Sequence, residues 1–122
     1  MAMIKKSEYE NIQPYITKDG SIIRELMHPF AHLNRNQSLA EAIIPQGSTT
    51  HMHRHLHSEE IYHILSGSGV ITVADDQFEI KEGDTICIPA GTSHNVKNNG
   101  AVLLKVLCAC APPYSHSDTE LL

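Results

Sequence analysis

HMHRHLHSEEIYHILSG, residues 51–67, is the stretch that decides how this chain reads. His53 and His55 stand two apart, Glu60 follows, and Gly67 closes the run. Side chains alternate across a β-strand, so His53 and His55 can reach a single point while Arg54 faces away. Glu60, a short turn further on, adds a carboxylate from the neighbouring strand. Two imidazoles and a carboxylate on one face suit a first-row divalent metal better than an ion that takes oxygen ligands alone. A second stretch, GDTICIPAGTSHN at residues 83–95, completes the set with His94.

The glycine frame around these residues has fixed offsets. Five residues separate Gly47 from His53-x-His55, four separate that pair from Glu60, and six separate Glu60 from Gly67. Five residues separate Gly83 from Pro89-x-Gly91, two separate that turn from His94, and three separate His94 from Asn98. Fifteen residues separate the two blocks. In both blocks and in their short separation the chain resembles the small single-domain bacterial cupins. The resemblance implies an all-β fold, a double-stranded β-helix or jelly-roll type cupin barrel, with His53, His55, Glu60 and His94 as the four metal ligands. No ligand position departs from the pattern. His51, His57 and His63 crowd the same tract, and any histidine-rich tract binds metal loosely. That plainer reading does not account for a glycine frame around a distant fourth ligand.

A chain of 122 residues suits one domain with its own core. The formal charge of −5, with no lysine or arginine run, argues against nucleic acid as a partner. No apolar run approaches the roughly 20 residues that span a membrane. The start, MAMIKKSEYE, lacks the apolar core of a signal peptide, so a cytoplasmic location is expected. Three cysteines give no disulfide framework. Cys108 and Cys110 share a face at the end of an apolar strand, where a CxC pair can bind metal or sense redox state, and small apolar filling is the commoner use.

Residues 1–19 read as an N-terminal arm with room for one short strand, ending at the Asp19-Gly20 turn, 20–111 as the barrel, and 112–122 as a C-terminal tail, extended by its prolines and then polar. Strands are expected at 21–27, 38–45, 49–57, 60–65 and 69–74, then at QFEIK, TICIP, 93–97 and 101–109. The last is apolar enough to be buried on both faces. Residues 28–37 read as a loop, and Asp75-Asp76 as a hairpin turn. About nine short strands at close spacing argue for a sandwich or a barrel, and the resemblance selects the jelly roll.

One divalent transition metal per chain is expected: Fe, Mn, Ni, Co, Cu or Zn, among which the ligand set does not choose. Four protein ligands leave one or two positions open in a five- or six-coordinate site, as in catalytic centres. A small molecule offering two oxygens fits that opening, a carboxylate beside a hydroxyl or carbonyl for example. The expected function is a small metalloenzyme acting on an oxygen-rich metabolite as a dioxygenase, decarboxylase, isomerase or lyase. The alternative is a binding protein that uses the metal to grip a carboxylate or sugar. Counting by twos places His51 on the face of His53, and Tyr62 and Ile64 on that of Glu60, so His51 and Tyr62 are the candidate acid–base residues. Arg24, Glu25, His28 and His32 are weaker candidates, and Glu41 is a candidate support for a ligating imidazole. Exposed sheet edges and the outward His63 and Leu65 suggest a homodimer.

Overall fold

The computed structural model describes residues 4–122, so the first three residues of the expected arm lie outside the described residues. Two antiparallel sheets face each other. Strands β1 (Tyr15–Ile16), β2 (Ile22–Met27), β3 (Ser38–Ile44), β5 (Glu59–Ser66), β8 (Thr85–Ile88) and β10 (Leu104–Ala111) build one, in the order β1-β2-β3-β10-β5-β8. The other contains β4 (His53–His55), β6 (Ser68–Val73), β7 (Asp76–Lys81), β9 (His94–Lys97) and β11 (Thr119–Leu121), in the order β11-β4-β9-β6-β7. This is the jelly-roll barrel. The described residues form eleven strands: besides the nine of the barrel, the arm supplies a short one at 15–16, and residues 119–121 of the tail pair as well, which was not expected. Among the described residues no helix is long and apolar enough to cross a membrane.

The central pair β5–β10 sets the character of the interior. Its register places Glu60 opposite Cys110, Tyr62 opposite Cys108, and Ile64 opposite Val106. All six side chains point inward and are buried. The interior therefore runs from polar to apolar along the strands. Ile64, Ile71, Ile80, Ile88, Leu104 and Val106 fill one end, while the histidines gather at the other. Burying such a side chain stabilises by about 1.5–3 kcal/mol, so the apolar end holds the sheets together and the polar end is free for chemistry.

Several expectations shift. The last strand is Leu104–Ala111 rather than 101–109, and it alternates: Leu104, Val106, Cys108 and Cys110 are buried while the residues between them are not. Val102 and Leu103 sit exposed in the preceding turn. The β6–β7 hairpin turns at Ala74-Asp75, one residue earlier than expected, with Val73 paired to Asp76. A slip of one residue would turn Ile71 and Ile80 out of the core, so their burial fixes the register and Ala74 takes a φ of 53°. The loop 28–37 contains a one-turn helix, α1 (Pro29–His32), capped by His28 Nδ1, which accepts from Phe30 N–H.

Gly67 shows why the frame uses glycine. Its φ is +87°, and a Cβ there would lie 2.6 Å from the Leu103 carbonyl oxygen. Gly91, at φ +78°, donates its N–H to the His55 carbonyl at 2.6 Å. That bond ties the second glycine block to the strand carrying two of the proposed ligands.

Candidate metal centre

His53 and His55 point inward from β4 while Arg54 points outward to Glu120 at 3.1 Å, as strand alternation requires. The ladder pairs His53 with His94 of β9. Glu60, near the start of β5, faces them from the other sheet. Their ligand atoms all lie within 4.8 Å of one another, and all four residues are buried. Glu60 Oε1 is 3.2 Å from His55 Nε2 and 3.4 Å from His94 Nε2.

Hydrogen bonds fix which ring nitrogen faces the centre. His53 Nδ1 lies 2.8 Å from the His51 carbonyl and His94 Nδ1 2.9 Å from the Thr92 carbonyl. A carbonyl only accepts, so both nitrogens carry the proton. His55 Nδ1 lies 3.0 Å from Thr119 Oγ1, whose own proton goes to the Ser115 carbonyl at 2.9 Å. It donates as well. Each neutral imidazole therefore turns a bare Nε2 lone pair toward the centre, where Glu60 presents more lone pairs.

Such a cluster is unfavourable without a cation. His94 Nε2 is buried and has no hydrogen-bond partner, because its approach to Glu60 is too poorly aligned. Burial and the neighbouring His94 hold His53 below the usual imidazole range. His55 is different: burial opposes its charge, but the Glu60 hydrogen bond and charge outweigh that and raise it. Glu60 is itself held well below the usual carboxylate range, burial being overcome by His55 and His94. Without a metal the centre needs a proton, and a divalent cation satisfies every lone pair at once. The residues present fit such an ion.

The centre opens into a cavity of about 490 Å³, its mouth included. Tyr62 lines it, buried, its ring 5.9 Å from that of His94. Burial and the nearby Glu60 charge push its phenol well above the usual value. His51 lies outside the strand: its side chain is exposed, 3.7 Å from where a Gly20 Cβ would stand, and is not among the cavity-lining residues. Counting by twos does not reach it because β4 begins only at His53. Its carbonyl, not its ring, serves the site. Glu41 also departs from expectation. It faces out of the barrel, accepting from Tyr9 Oη at 2.7 Å and pairing with Arg24 at 3.4 Å. Glu25 lines the cavity, whereas His28 lines an adjoining outer cleft.

Sequence reasoning missed four contributors. Cys110 Sγ donates to Glu60 Oε2 at 3.1 Å, so this thiol orients the Glu60 carboxylate rather than merely filling space. Thr119 sets the His55 tautomer. Asp118 receives the backbone N–H of His57 and Ser58 at 3.0 and 3.1 Å, which holds the turn between β4 and β5. Asp19 stands at the cavity wall with Oδ2 3.6 Å from His53 Nε2.

A family model described as Cupin domain matches residues 40–110. The chain is 59% identical over 119 residues to an uncharacterized protein of Methanocaldococcus jannaschii, covering 98% of this chain and 95% of that one. It is 34% identical over 84 residues to the oxalate-binding protein of Thermotoga maritima, covering 69% of this chain and 65% of that protein. A crystal structure from Thermotoga maritima described as a predicted oxalate decarboxylase superposes with a TM-score of 0.74 at 28% identity, over 90% of this chain and 99% of that one.

Proposed function

Because this chain belongs to the cupin family, we propose that it is a metal-dependent enzyme that binds an oxygen-rich small molecule through two oxygens beside a divalent transition metal. The observation that carries this reading is the convergence of three imidazole Nε2 atoms and Glu60 Oε1 at the head of a cavity. His53, His55, Glu60 and His94 would hold the ion. When bound, the metal supplies a Lewis acid that polarises an oxygen of the ligand. Oxalate, which appears in the name of one relative, is a molecule with oxygens placed for such a grip.

The chain's own residues supply the rest. Carbonyls of His51 and Thr92 and the Thr119 hydroxyl keep each imidazole in one tautomer and orientation, the role of outer partners in metal sites. Cys110 occupies Glu60 Oε2 and leaves Oε1 for the centre. Ile23, Ala40 and Ala42 line the cavity and limit water. Tyr62, kept protonated by burial, is placed to donate its phenol proton to the ligand. A non-catalytic binding protein would use the same ligands without needing that proton.

Elemental analysis of untagged protein tests the centre. About one metal per chain is expected, with His94→Ala losing most of it. A wild type that purifies metal-free without chelator and cannot be reloaded refutes the reading. On a substrate found by panel screening, Tyr62→Phe should lower turnover and leave metal content unchanged. If Tyr62→Phe turns over like the wild type, Tyr62 is packing only.

A further inference from the structure

The cavity holds more acceptors than donors. Asp19 is clamped at one oxygen: Oδ1 accepts from Ser21 N–H at 2.9 Å, Ser21 Oγ at 2.6 Å and Thr17 Oγ1 at 2.7 Å. The Asp19 carbonyl also accepts from His51 N–H at 2.7 Å, which pins this turn to the chain just before β4. The carboxylate therefore cannot swing, and its Oδ2 is aimed at the metal side of the cavity, 3.6 Å from His53 Nε2. Glu25 offers a second acceptor. Its Oε1 takes the Tyr15 hydroxyl at 2.9 Å, while Oε2 is buried without a partner.

No cation on the wall balances these groups: among the described residues no lysine or arginine lines the cavity. Arg24, the residue nearest in sequence to Glu25, points the other way, to Glu41 and to the Tyr9 ring 5.0 Å away. The three imidazoles have already given their N–H groups to the chain. A divalent cation in the centre is balanced by the Glu60 and Asp19 carboxylates, which leaves little net attraction for an anion.

We propose that Asp19 is a specificity-determining residue, which accepts a hydroxyl hydrogen of the bound molecule and so selects neutral, hydroxyl-bearing ligands such as hydroxyketones or vicinal diols over dicarboxylates. This rests on the metal-centred reading above and narrows its ligand class. The physical logic is complementarity: unfilled acceptors are satisfied by a ligand that brings O–H groups. A dicarboxylate brings more acceptors and like charge to the same wall. Metal affinity for oxalate works in the opposite direction, so the preference is read as a change between variants rather than as an absolute ranking.

The test uses the full chain loaded with Co(II), whose visible absorption reports both metal occupancy and ligand entry. Two probes are titrated: erythrulose, a neutral four-carbon hydroxyketone, and oxalate. Asp19→Asn keeps the shape and keeps an oxygen for Ser21 and Thr17, but replaces the Oδ2 acceptor by a donor. Erythrulose should bind about tenfold more weakly, the worth of one hydrogen bond to a charged group, and oxalate about tenfold more tightly. The oxalate-to-erythrulose affinity ratio thus rises by about two orders of magnitude. A ratio unchanged from wild type overturns the proposal. Should Asp19→Asn not fold, Asp19→Ser, which also removes the carboxylate, decides in the same way: a risen ratio supports the proposal and an unchanged one overturns it. If wild type takes up no cobalt, the metal-centred reading falls and this one with it; cobalt uptake with an unchanged ratio sinks this one alone.

Discussion

Replacing Thr119 by valine, a change near the C-terminus and outside both glycine blocks, should weaken metal binding. Thr119 Oγ1 is the acceptor that keeps the proton on His55 Nδ1. Valine has nearly the same shape and no acceptor. The His55 proton then has a better place to go, since Nε2 lies 3.2 Å from Glu60 Oε1. The ring relaxes to the other tautomer, with its N–H on the side a metal must use. To bind metal, the variant must move that proton back to a buried Nδ1 with no partner, or lose it. A buried unsatisfied N–H costs about 1–3 kcal/mol, roughly a 5- to 150-fold loss in affinity. Changes in the outer partners of metal-ligating histidines commonly cost a similar 10–100-fold.

The folded apo protein should suffer less. The variant loses the Thr119 bond to the Ser115 carbonyl, about 1 kcal/mol, while the His55–Glu60 hydrogen bond replaces the one lost at Nδ1. Titration of apo protein with Co(II) against a competing chelator gives the affinity, and thermal melts of the same samples give the stability. Thr119→Ser restores the hydroxyl and should restore most of the affinity. If Thr119→Val binds cobalt as wild type does while remaining folded, the tautomer argument is wrong.

Two further outcomes follow from the structure. Burial opposes the Asp118 charge, but hydrogen bonds from the His57 ring and from the His57 and Ser58 backbone win and hold it below the usual carboxylate range; its stabilising effect is therefore full above the unfolded value near pH 4 and fades as pH falls through the lower folded value. Melts of wild type and Asp118→Asn from pH 7 to pH 3 should show the variant less stable by about 1–2 kcal/mol at neutral pH, with the gap closing only below about pH 4; a gap that is constant with pH contradicts this. We also propose a homodimer packed through the outer face of β5, β8 and β10, where Ile61 and Leu65 are 40% and 38% exposed beside Cys87. Light scattering that gives 13.5 kDa at micromolar concentration would count against it.

How much of this was legible in the residues depended on how local the information was. The clustering of His53, His55, Glu60 and His94 was legible because three of its members fall within eight positions, where strand alternation alone decides who shares a face. The gradient along β5 was legible for the same reason: Glu60, Tyr62 and Ile64 follow one parity without a break. His51 failed because parity holds only inside a strand, and the strand starts two residues later. Glu41 failed because β3 has two faces and nothing in SLAEAII says which one meets the histidines. The carboxylate ended up on the other face, paired with Arg24 and hydrogen-bonded by the Tyr9 hydroxyl. The register of β10 against β5, which brings the Cys110 thiol to Glu60, is a long-range pairing and invisible to any window of sequence.

The two chain ends expose this limit most clearly, and they also change what the site is. Residues 1–19 and 112–122 read as an arm and a tail because their composition is polar and broken by proline. Yet Lys18 Nζ donates to the His116 and Thr119 carbonyls at 2.8 and 2.9 Å, so the two ends are joined to each other beside the metal ligands. One end contributes Asp19, which faces His53; the other contributes Thr119, which holds His55, and Tyr114, whose ring stands 5.8 Å from that of His55. Polar residues gather there because the interior they cover is itself polar: a lid over four buried, lone-pair-bearing groups must offer donors and acceptors rather than methyl groups. The family's two glycine blocks thus supply the buried cluster of His53, His55, Glu60 and His94, and the segments outside them supply much of the wall around the open side. Under the proposal made above, these outer segments face the bound molecule, which is why Asp19 and Thr119 are the residues to change first.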